Sequence, residues 1–116
     1  MESILTSIKK LLGITEEYEH FDTDIIIHIN SALMILNQLG VGPAYGFSIA
    51  DKTDTWSDFI SDMAMFEAVK TYVYLKVKLV FDPPASASVL AAYERTISEL
   101  EFRLNVNAES QGENSK

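Results

Sequence analysis

DMAMFEAVKTYVYLKVKLVFDPP, residues 62–84, is the longest apolar stretch of the chain, and a double proline stops it. Between residues 63 and 81 only Glu67, Lys70, Thr71, Lys76 and Lys78 are clearly polar. On a helix, Glu67, Lys70, Thr71, Tyr74 and Lys78 fall along one narrow stripe, and the rest of the circumference is apolar. A helix of that kind belongs in the middle of something. Residues 71–79 also alternate, with Thr71, Val73, Leu75, Val77 and Leu79 on one side and Tyr72, Tyr74, Lys76 and Lys78 on the other. That is the period of a half-buried strand, and the Val and Tyr content suits one. Length favours the helix: no Gly, Pro or Asn interrupts residues 60–81, which is longer than an ordinary strand. Asp82-Pro83-Pro84 ends it, because proline supplies no amide donor and pushes the preceding residue out of the helical region.

The flanking sequence supplies helices and few strand partners. Ile4, Leu5, Ile8, Leu11 and Leu12 predict a short amphipathic helix over residues 2–12, with Gly13 as its left-handed stop. An acidic connector follows, with Glu16, Glu17, Glu19 and Asp22. Asp22 or Thr23 is expected to cap a second helix over residues 24–39, and Phe21 to staple it. Ile25, Ile29, Ala32, Leu33 and Leu36 form that helix's main stripe, widened by Ile26, Met34 and Ile35. Residues 40–54 read as the longest loop, with Phe47-Ser48-Ile49 as a short extended piece within it. Thr55 and Asp58 match a capping box, which turns Trp56 and Phe59 to the core. Ser86 or Ser88 starts a last helix over residues 89–104. Its apolar residues Leu90, Tyr93, Ile97, Leu100 and Leu104 step by three and four, and Glu99 and Arg103 make a favourable pair. Beyond Val106 the sequence NAESQGENSK holds no large apolar side chain and is expected to be disordered in isolation. The expected architecture is all-α: about four helices over residues 1–106, then a flexible polar tail, 107–116.

Composition limits function more than it identifies it. The chain has 116 residues, enough for one domain that buries roughly two-thirds of its unfolded surface. It contains no cysteine, which excludes disulfides, thiolate metal sites and thiol nucleophiles. The formal net charge of −8, with basic residues scattered, argues against a duplex-DNA binder. The charges inside the central stretch argue against a membrane span, and the N-terminus has no signal-peptide layout. A soluble protein made in a cytoplasm is the expectation.

Candidate chemical groupings have bland alternatives. The carboxylates Glu16, Glu17, Glu19, Asp22 and Asp24 lack calcium-loop spacing and read as a solvated, capping run. Asp51, Asp54, Asp58 and Asp62 have helix-like spacing, but two lie in a loop and Asp58 has a capping task. His20 and His28 are eight apart, not the four-apart zinc pair, with no obvious third ligand. There is no nucleophile elbow and no phosphate loop. Neither an enzyme nor a bound cofactor or metal is expected. The seam at 90–104 reads first as internal packing, and second as the surface of a small regulatory module that dimerises through its last helix.

The order of landmarks carries a resemblance. SILTSIKKLLGI, DTDIIIHINSALMILNQLGVGP, FSIADKTDTWSDFI, EAVKTYVYLKVKLVFDPPASASV and ISELEFRLNV together resemble a head–tail connector (adaptor) protein of tailed phages or prophages of Gram-positive bacteria, over about residues 3–106. The most specific parts are NQLGVGP at 37–43, TWSDFI at 55–60 and the LVFDPP junction; none is catalytic. The resemblance implies a helical bundle that assembles as a ring, usually dodecameric, beneath the portal of the head. Such a ring joins the portal to a stopper or tail-completion protein and lets genomic DNA pass without reading its sequence. It implies a virion location after assembly in the host cytoplasm, and a C-terminal segment that grips the portal. Carried onto this chain, the candidate partner and subunit contacts are Phe47 and Ile49 in the loop, Glu67, Lys70, Tyr74 and Lys78 on the central stripe, and Asn105, Asn107, Glu109 and Gln111 in the closing segment.

Overall fold

The computed structural model describes residues 2–114, with side chains through Ser110. The central stretch is one helix. Five helices follow in order: α1 (Ile4–Leu11), α2 (Asp22–Gln38), α3 (Trp56–Phe59), α4 (Met63–Phe81) and α5 (Ala87–Asn114). α4 packs against both α2 and α5, and α1 lies across α2 and α4. The result is a slab of 46 × 35 × 20 Å with α4 in its middle.

Local chemistry sets the helix ends. Asp62 caps α4 by accepting the Ala64 N–H at 3.0 Å, and Asp82 closes it ahead of the two prolines. Ser3 caps α1 through the Thr6 N–H at 3.2 Å. α2 stops where the Val41 N–H reaches back to the Leu36 carbonyl at 2.9 Å, a closure that requires the left-handed conformation Gly40 adopts (φ +94°). The Thr55–Asp58 capping box is present on α3. Ser86, rather than Ser88, starts α5, accepting the Val89 N–H at 3.4 Å and, with its carbonyl, the Leu90 N–H at 3.0 Å.

The core runs along α4. Val69, Tyr72, Val73 and Val77 are fully buried, against Ile25, Ile29, Leu33 and Leu36 of α2 and Ile4 and Ile8 of α1. Burial of each such aliphatic side chain contributes roughly 1.5–3 kcal/mol. Trp56 is also fully buried, and its Nε1–H donates to Ser7 Oγ at 2.7 Å, which ties α3 to α1. Beside that bond Ser3 and Thr55 form an antiparallel bridge.

Four sequence expectations change. No strand includes residues 47–49; the extended pairing lies at Ser3 and Thr55. The N-cap of α2 is Phe21, with no side-chain cap, because Asp22 is drawn instead to the buried Lys9 ammonium at 2.8 Å. Lys9 also donates to the Glu16 backbone carbonyl at 3.0 Å, which ties down the connector's backbone while the Glu16, Glu17 and Glu19 side chains stay exposed, as expected. Phe21 does not staple α2 to itself: its ring meets Phe81 edge-on, centroids 5.3 Å apart. Last, α5 continues to Asn114 instead of ending near residue 104, with Asn107 and Ala108 half-buried.

Candidate assembly surfaces

α2 and α5 flank α4, and each turns its most apolar stripe toward it. At 100° per residue, Ile27 and Met34 lie on the side of α2 opposite Ile25, Ile29 and Leu36. Both are 56% exposed. On α5 the inner seam is Ile97 and Leu104, buried, with Leu90, Tyr93 and Leu100 half-buried. Phe102, 70% exposed, and Val106 lie on the opposite side. The slab therefore carries an exposed apolar stripe on each flank. Within the 90–104 seam Ile97 and Leu104 are buried inside the chain, while Leu90, Tyr93 and Leu100 stay half-buried.

The slab also has two ends. At one, Phe21, Phe81 and the proline turn converge. At the other, the end of α2, the start of α4 and residues 104–108 of α5 enclose a cavity of about 400 Å³. Asn105 joins α5 to this end by donating to the Leu39 carbonyl at 3.1 Å. Tyr45 stands 90% exposed on a turn closed by the Gly46 N–H to Pro43 carbonyl bond at 2.9 Å.

The sequence-derived candidates fall in different places. Ile49 is buried: the Asn30 side chain accepts its N–H at 2.7 Å and donates to its carbonyl at 3.0 Å. Phe47 packs on Phe59, centroids 5.5 Å apart. These two residues anchor the loop. Lys70 pairs with Glu2 at 2.9 Å and lies over the Phe66 ring. Lys78 pairs with Asp82 at 2.8 Å, a bond that raises its ammonium pKa. Tyr74 is half-buried, and burial pushes its hydroxyl pKa up. Glu67 is exposed. The stripe is thus a row of intrachain pairs, not an open cationic track. Asn107 lines the end cavity and Glu109 is exposed. Gln111 belongs to α5, but its side chain, like residues 115–116, lies outside the described residues.

Sequence reasoning passed over Ile27, Phe102 and Val106. Their signal was available: they are large apolar residues that fall outside the inward stripe of an otherwise regular helix. Tyr45 was signalled by Gly42, Pro43 and Gly46 around it.

Among the described residues no three His, Cys, Asp or Glu side chains are grouped to hold a metal ion. None of the described helices is long and apolar enough to cross a membrane. The fold is that of a small helical protein with exposed apolar residues on α2 and α5 and two different ends. A family model described as phage connector protein matches residues 4–111, nearly the whole chain. The chain belongs to that family, structural proteins of the phage virion. No curated protein and no solved structure matches it.

Proposed function

We propose that this chain is the repeating subunit of a dodecameric ring between the portal and a stopper or tail-completion protein, through which the genome passes. The observation that carries the reading is the pair of exposed apolar stripes, Ile27 and Met34 on α2 and Phe102 and Val106 on α5. A closed ring needs a heterologous contact between two different faces of each subunit, and two flanks of one thin body supply them. The ends of the slab are then free for the partners above and below. The acidic balance supports passage of DNA: eight excess negative charges per subunit repel phosphates from a channel wall. In this reading α5 continues beyond Ala108 toward the portal, and residues 105–116, with Asn105, Asn107, Glu109 and Gln111, form the contact. The Glu67–Lys78 stripe faces the channel or a neighbour.

The test is mass photometry of purified chain mixed with portal. Wild type is expected to add a ring to the portal. Ile27→Asp with Met34→Asp is expected to abolish that ring while circular dichroism stays helical, since both side chains are exposed. Rings of the double variant equal to wild type would reject the α2 flank as an interface.

A further inference from the structure

Each exposed apolar stripe has a charged residue beside it, toward the end where its helix begins. On α2 that residue is Asp24, in the first turn, about 60° around the helix from Ile27. On α5 it is Arg95, within about 20° of Phe102. Both are exposed, and neither forms an ion pair among the described residues. The nearest candidates within the chain are engaged. Glu99, four residues beyond Arg95, is held by Arg103 at 2.8 Å. Residues 11–51 contain no Lys or Arg, and Lys9 is taken by Asp22.

The two helices also run the same way. α2 begins where Phe21 meets Phe81, and α5 begins six residues past Phe81. At the far end Asn105 donates to the Leu39 carbonyl, and a Cβ on Gly40 would come within 3.0 Å of the Ala108 Cβ. Met34 and Phe102 each lie six residues before Gly40 and Ala108, so they stand at one height. Asp24 precedes Met34 by about 15 Å of helix, and Arg95 precedes Phe102 by about 10 Å. An arginine side chain leans toward the start of its helix and spans the remaining ~5 Å.

We propose that Arg95 of one subunit pairs with Asp24 of a second copy of the chain, while Phe102 meets Met34 at the same contact. This pair rests on the ring reading above and gives the ring its register. An apolar stripe alone tolerates sliding, whereas a guanidinium facing a carboxylate at one height does not. The two charges lie on different helices, so each subunit uses one toward each neighbour, as a head-to-tail contact requires.

The experiment follows rings on the portal by mass photometry and reads the chain concentration at which half the portals carry one. Arg95→Glu and Asp24→Lys should each raise that concentration about fivefold or more, because reversal removes an attraction and sets like charges together. An equimolar mixture of the two single variants should return to within about twofold of wild type, since in an alternating ring every contact again joins opposite charges. No recovery in the mixture, with rings from wild type, overturns the pair and leaves the ring reading standing. Recovery only when both changes sit in one chain also overturns it, because that marks a contact within the subunit. Absence of wild-type rings at every concentration overturns both readings. Circular dichroism checks that each variant stays helical. If a reversal unfolds the chain, Arg95→Gln and Asp24→Asn take its place. Combined in one chain, these two should weaken assembly no more than either alone, and additive losses overturn the pair.

Discussion

Tyr72 shows what a single side chain contributes and how it can be measured. It is fully buried, and its hydroxyl donates to Glu101 Oε2 at 2.6 Å, which joins α4 to α5. Burial, then the Glu101 contact, raise its pKa well above the ordinary 10.0. The folded state therefore favours the neutral phenol. That contribution is complete below the unfolded pKa and is lost as pH rises through 10 toward the folded value. Tyr72→Phe should cost about 1.5–3 kcal/mol near neutral pH, a typical loss for a hydrogen bond to a charged acceptor. The gap between wild type and variant should narrow above pH 10 in urea titrations; a constant gap would show that this phenol does not titrate with folding. Gly42 makes a second case. Its φ of +88° and the Phe59 ring beside it leave no room for a side chain. Gly42→Ala should cost about 1–3 kcal/mol, seen as a lower urea midpoint with unchanged slope. Neither role was legible in the sequence. Tyr72 alternates with Tyr74 in a pattern that suits a strand, and its partner is 29 residues away.

The elements were legible where their signals are local. The uninterrupted run before Asp82-Pro83-Pro84 gave α4, the Thr55–Asp58 box gave α3, and Gly13 and Gly40 gave the ends of α1 and α2. Signals failed where a distant group competes. Asp22 is a fitting cap by type, yet the buried Lys9 takes it. The polar end of α5 lacks apolar residues, yet Ala108 packs against Gly40 and the helix propagates past it. The loop between α2 and α3 reads as open chain, but Asn30 mimics a strand neighbour for Ile49. Asn30→Ala removes both of those bonds. It should destabilise the fold by about 1–3 kcal/mol and speed hydrogen exchange across residues 47–50. Unchanged exchange there would mean that Phe47 on Phe59 suffices to hold the loop.

The whole molecule is a slab whose inside is complete and whose flanks are not. The seam expected on α5 closes against α4, while Ile27, Met34, Phe102 and Val106 remain outside. Composition could indicate excess apolar surface, but only the packing of α2 and α5 on α4 shows which residues of each helix are left outside. The absence of cysteine allows a direct test, since any disulfide must come from introduced residues. With portal present, the Met34→Cys, Phe102→Cys double variant should form under mild oxidation a reducible ladder that climbs to a closed ring. Each single variant should remain monomeric on the gel. A ladder that stops at dimers, or dimers of either single variant alone, would contradict a head-to-tail ring joined through α2 and α5.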